Sequence, residues 1–221
     1  MTGAALLDQL QRLLAGINDV PVTFAVSDFH FGERKRCSEL LGRALDPEED
    51  EQVLLCERDG AAELGVFVDG EVLRRLRDEN PLRRLGEANL ADFCTVLEGV
   101  SHFQYLAWCI GHRRQLSMLE LELQGEVDKY AVAVCLLRRQ GSDDLPRGLH
   151  RRLFDDVRFV AGLSMELRQR YEEANHMAAR FCQRLERRFL LRQRFRPEAW
   201  LRALREFYRR PHHQKLSYAL R

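Results

Sequence analysis

The stretch Leu119-Glu120-Leu121-Glu122-Leu123-Gln124-Gly125-Glu126-Val127-Asp128-Lys129-Tyr130-Ala131-Val132-Ala133-Val134 decides the fold, because it satisfies two periodicities at once. Leu119, Leu121 and Leu123 alternate with polar residues as in a half-buried strand. Tyr130 to Val134 would suit the returning strand of a hairpin turning at Gly125. At helical spacing, however, Leu119, Leu123, Val127, Tyr130, Val134 and Leu137 form one stripe, and Ser117 followed by Glu120 is a capping-box spacing. Stripe and cap together predict one helix over 118–139. The hairpin is the competing reading.

On the N-terminal side, Phe93, Val96, Leu97, Val100, Phe103, Ala107 and Ile110 share a broad face, predicting a helix from Leu90 to Ile110 that Gly111 ends. On the C-terminal side, Leu163, Leu167, Tyr171, Ala174, Ala178, Phe181, Leu185 and Phe189 form a near-heptad seam that predicts a long helix near 155–194. Pro197 then opens the last helix, which buries Trp200, Leu201, Leu204, Phe207 and Tyr208.

The region before 88 is mixed. Leucines 6, 7, 10, 13 and 14 predict an opening helix over 4–15, and Val22 to Val26, β-branched and aromatic after Pro21, predicts a strand. Residues 34–44 read as weakly helical, and the acids from Asp46 to Glu51 as a solvated turn or helix start. Val53 to Cys56 and Leu64 to Val68 flank Arg58-Asp59-Gly60 as a β-hairpin, and Glu71 to Arg77 as a short helix stopped before Pro81. The class expected is α+β, predominantly α: a small antiparallel sheet of about three strands over 20–70, packed on a helical bundle. An N-terminal region 1–85 and a bundle 86–221 are expected to share one core.

The chain has 221 residues, 45% of them hydrophobic, enough for a substantial core. Its longest apolar runs, such as Ala131 to Leu137, fall far short of the ~20 residues that cross a bilayer, so no membrane partner is expected. Met1 to Asp8 carries no basic leader, and the six cysteines are scattered without the two-residue spacing of a zinc or redox motif. A reducing, cytoplasmic setting is therefore expected. There is no P-loop, no G-x-S-x-G elbow, no G-x-G-x-x-G after a strand and no H-E-x-x-H, so these nucleotide, hydrolase and zincin signatures are excluded.

Charge is divided along the chain. Residues 1–145 hold 16 Lys and Arg against 26 Asp and Glu, and residues 146–221 hold 19 against 8. Arg180, Arg184, Arg187 and Arg188 cluster on the long helix away from Leu185 and Phe189, a guanidinium face suited to an anionic surface. Arg202, Arg205 and Arg209 form a second stripe that Glu198 and Glu206 can pair with.

One polar cluster could carry chemistry. Glu98, Ser101, His102, Tyr105 and Cys109 share a line on their helix, opposite its apolar face, and Glu122 and Glu126 lie one turn apart on the next. If the two helices pair antiparallel, Glu98, His102, Glu122 and Glu126 offer three carboxylates and an imidazole, a set suited to Mn, Fe or Mg. Surface ion pairing, with Lys129 neutralising Glu126, is the plainer account. Glu173 and His176 have the i, i+3 spacing of carboxylate-bridged metal sites in bundles, by spacing alone. The function expected is a non-enzymatic adaptor whose Arg180–Arg188 face docks an acidic protein surface or the acidic half of a second copy. A metal-dependent enzyme built on Glu98, His102, Glu122 and Glu126 is the alternative, and nucleic-acid binding the second alternative. No cofactor is expected beyond a divalent metal in the enzyme reading.

Overall fold

The computed structural model describes residues 2–42, 49–58, 61–141, 148–157, 163–190 and 195–220, and of 56–58 and 61–63 the backbone alone. The protein is α+β and mostly α, 71% helical, with a small three-stranded mixed sheet near the N-terminus packed on the helices.

Helix α1 (Gly3–Asn18) starts at Thr2, whose hydroxyl accepts from Ala5 N, and ends at Asp19 in the left-handed region. It is followed by β1 (His30–Phe31), α2 (Arg34–Leu41), β2 (Glu51–Arg58), β3 (Ala61–Val68) and α3 (Gly70–Asp78). The hairpin of β2 and β3 forms as expected, antiparallel, with Glu51 opposite Val68. The third strand differs from expectation. Val22 to Ala25 is irregular, with Val26 opening a 3-10 turn, and β1 instead pairs parallel with β3, His30 opposite Val66. The reason is local. Gln11 on α1 donates to Phe24 O and accepts from Val26 N, so this segment spends its backbone groups on a side chain rather than a ladder.

Helices α4 (Leu90–Gly111) and α5 (Met118–Arg139) follow, and 118–139 is a single helix, capped by Ser117 accepting from Glu120 N. The double periodicity has a physical origin: α5 is central, packed by α4, α6, α1 and α8, so residues on nearly every face are buried. Helix α6 (Met165–Leu185) continues into a π-helical turn at Glu186–Leu190. It starts later than 155, because Arg151–Asp155 forms a separate π-helical turn and Ser164 caps α6 by accepting from Leu167 N. Residues 158–162 and 191–194 of the expected long helix lie outside the described residues. Pro197 opens α7 (Pro197–Arg209), but a further helix follows it, α8 (His212–Leu220). Polar residues at 212–215 hide its buried side, which is made by Lys215 and Ala219.

The main apolar cluster runs from Leu6 and Leu10 on α1 through Val66, Val72, Phe93 and Val100 to Val134, Phe181 and Phe207, with smaller clusters around Phe31 and Phe67 and around Tyr105 and Tyr208. No helix among the described residues is long and apolar enough to cross a membrane.

Candidate metal centre

The site lies where the sheet meets the bundle. Glu51, first residue of β2, shares its face with Val53, which packs against the core, so the strand alternation turns Glu51 toward α4. Helix α4 admits the sheet at Gly99, where a Cβ would lie 3.0 Å from Glu51 Cγ and 3.2 Å from Val66 Cγ1. Glu98 and His102, one turn apart, flank that glycine. Helix α5 brings Glu122, Glu126 and Lys129 against them from the other side.

These groups form two linked sets. In the first, His102 Nδ1 is 3.7 Å from Glu51 Oε1 and His102 Nε2 is 3.4 Å from Glu122 Oε2. Glu51, Glu98 and His102 each present one ligand atom, and these atoms all lie within 4.8 Å of one another. His102 is only 5% exposed, yet its Nε2 and Glu51 Oε1, both shielded from solvent, make no hydrogen bond among the described residues. In the second set, Lys129 Nζ donates to Glu98 Oε2 at 3.0 Å and to Glu126 Oε1 at 2.8 Å.

Four carboxylates therefore share a poorly solvated space with one ammonium and one imidazole, and the electrostatics reflect that excess of negative charge. Burial pushes the Glu51 carboxyl up to about 7, with His102 offsetting part of the effect. Burial opposes a charge on His102, but Glu122 and Glu51 outweigh it and raise the imidazole well above its ordinary value. Burial also raises Glu126, beyond what Lys129 offsets. Glu98 is held low by Lys129 and His102, against the effect of its partial burial. In an apolar setting such a cluster must gather protons or cations. The two carboxylate oxygens and one imidazole nitrogen of Glu51, Glu98 and His102 suit Mn(II) or Fe(II).

Of the residues singled out from sequence, Glu98 and His102 meet in one place together with Glu51, Glu122 lies against the Nε2 side of the imidazole, and Glu126 faces Lys129. Beyond half-buried Glu98 their helix line is buried: Ser101 and Tyr105 are 1% and 0% exposed, because α5 covers them. Glu173 and His176 are exposed on α6. Glu51 escaped sequence reasoning because the acids before it made it look like part of a solvated turn. The strand period running back from Val53 is the signal that would have placed it.

A second buried polar group sits at the far end of the α4–α5 pair. Tyr105 donates to Glu120 Oε1 at 2.6 Å, and Lys215 Nζ on α8 donates to Tyr105 OH at 2.6 Å. Arg114 also pairs with Glu120, and His212 Nδ1 lies 3.2 Å from Glu120 Oε2. His30, His112 and His150 each lie within hydrogen-bond reach of a backbone carbonyl.

The arginine face is divided. Arg184 turns back to donate to Tyr218 O and Ala219 O, closing the C-terminal end of α8, whereas Arg180, Arg187 and Arg188 are exposed and form no ion pair among the described residues. Arg205 and Arg209 donate to the carbonyls of Gly16, Ile17, Asn18 and Asp19, capping α1 instead of pairing with Glu198 or Glu206.

Comparison with known proteins yielded no relatives: no family model matches the chain, and neither a curated protein nor a solved structure does.

Proposed function

We propose that the protein is a metal-dependent enzyme of the hydrolytic type, built on one divalent cation of the Mn or Fe kind held by Glu51, Glu98 and His102, with Glu122 orienting the imidazole from its other nitrogen. The observation that carries this reading is the convergence of three ligand atoms, from half-buried Glu51 and Glu98 and buried His102, within 4.8 Å of one another, with Glu51 Oε1 making no hydrogen bond among the described residues. A structural role would be expected to satisfy that oxygen, and an excess of poorly solvated carboxylates costs stability unless a cation neutralises it. The chemistry a cation supplies there is Lewis-acid polarisation of water or of a substrate oxygen. Approach is supported from the Glu98 side, where that carboxylate keeps 27% exposure. The test is calorimetric titration of untagged, metal-stripped protein with MnCl2. Saturable binding that disappears in both Glu51→Gln and His102→Ala supports the reading, and no binding to wild type removes it.

A second reading, docking of an acidic protein surface on α6 and the turn that follows it, is favoured by the exposed guanidiniums of Arg180, Arg187 and Arg188, which form no ion pair among the described residues.

A further inference from the structure

The Glu98–Lys129–Glu126 group adjoins the proposed centre and shares a member with it. Glu98 offers one ligand atom to the Glu51–His102 set and, through Oε2, accepts from the Lys129 ammonium at 3.0 Å. A carboxylate placed between two positive centres is the arrangement that two-metal sites use, with their ions about 3.5–4 Å apart. Here the second position lies between Glu98 and Glu126, and a side chain of this protein fills it.

We infer that Lys129 is a tethered second cation, its ammonium occupying the place between Glu98 and Glu126 that a second divalent ion would take, so that the centre holds one metal. The inference rests on the metal-binding reading. Two observations support it. The chain uses 32 arginines and only 3 lysines, yet a lysine stands here. An ammonium is a compact point charge that can stand in for an ion, whereas a guanidinium is a planar fork that spreads its charge. Second, the ammonium makes two charge-assisted hydrogen bonds while 11% exposed, and a covalently attached group competes at an effective concentration that a free ion seldom matches.

Metal stoichiometry tests this. Titrated with MnCl2, wild-type protein should bind one ion per chain with the spectrum of an isolated Mn(II), and Lys129→Met should bind two, with the magnetic coupling of neighbouring ions. If Lys129→Met is unfolded without metal, MnCl2 should refold it with two ions bound. One ion in the folded variant, two in wild type, or a variant that stays unfolded in MnCl2 would overturn the assignment. Failure of the underlying metal reading is distinguishable, because wild type would then bind none.

Discussion

A methyl group on Gly125 would lie 2.9 Å from His102 Nε2, so the imidazole occupies the space that a side chain on α5 would otherwise fill. Glycine inside a helix costs roughly 0.5–1 kcal/mol relative to alanine, and here that cost makes room for the ring between α4 and α5. Gly99 does the same for Glu51 on the other face of α4. Gly125→Ala should therefore displace His102. We expect Mn(II) affinity to fall by about 10-fold or more, as when a group orienting a ligand is lost, with the melting temperature changed little because helix propensity gains what packing loses. Titration and thermal melts on one preparation check this, and unchanged affinity would contradict the placement of His102 in the centre.

Glu51 supplies a second, opposite signature. Its carboxyl is buried beside Glu98 and Glu122, and in metal-free protein it adds negative charge where there is already an excess. Glu51→Gln keeps the shape and removes the charge. It should raise metal-free stability at pH 8 by about 1 kcal/mol while abolishing the stabilisation that MnCl2 gives wild type. Urea unfolding with and without MnCl2 reads both effects, and a variant less stable than wild type in the absence of metal would mean that Glu51 serves as a structural partner of His102.

Much of this was legible before the structure, for identifiable reasons. The stripe from Leu119 to Leu137 and the Ser117 cap specified α5, and the same 3.6-residue spacing brought Glu98 level with His102 and Glu122 level with Glu126. Strand β1 was misplaced because the tertiary bonds of Gln11 outweigh the β propensity of Val22 to Val26. Lys215 was unreadable for a similar reason. No local pattern announces a buried lysine when its partners, Tyr105 and Glu120, lie about a hundred residues away. Gly99 and Gly125, each inside a predicted helix, were the unused clue, since a glycine there marks a close approach.

The exposed part of the arginine face makes a prediction independent of the metal centre. Arg180, Arg187 and Arg188 do not support the fold through ion pairs, so changing all three to Glu should leave the melting temperature within a few degrees of wild type. If α6 docks an acidic protein, the triple variant should lose that partner in co-purification from the native cell, and wild-type binding should weaken as salt rises. A nuclease-sensitive absorbance in the co-purified material would assign the face to nucleic acid instead. Arg184→Ala should behave differently and lower stability, because it removes two hydrogen bonds to the C-terminal carbonyls of α8.

Lys215 makes stability depend on pH. Its ammonium is fully buried under the rings of Tyr105 and Phe207, and although Glu120 lies 3.8 Å away, that carboxylate already has Arg114 as its partner. Burial, only partly opposed by Glu120, lowers the Lys215 pKa from 10.5 to about 7, and Arg114 adds to the lowering. Asp128 and Cys109 act weakly in the other direction. Above pH 7 the folded protein has released this proton while the unfolded chain still holds it. The contribution of Lys215 therefore becomes more favourable as pH rises, by up to about 1.4 kcal/mol per unit, and is flat below pH 7. His102 acts oppositely, since its raised pKa lets the folded state keep a proton that the unfolded chain loses, and buried thiols such as Cys109 do the same at higher pH. The informative quantity is thus the difference between wild type and Lys215→Met over pH 7–8.5. The variant, with the Tyr105–Glu120 hydrogen bond intact and no buried ammonium, should be the more stable at pH 7, and its advantage should shrink toward pH 8.5. An advantage that is constant or grows with pH would mean that Lys215 stays charged in the folded protein and that Glu120 holds it as an ion pair.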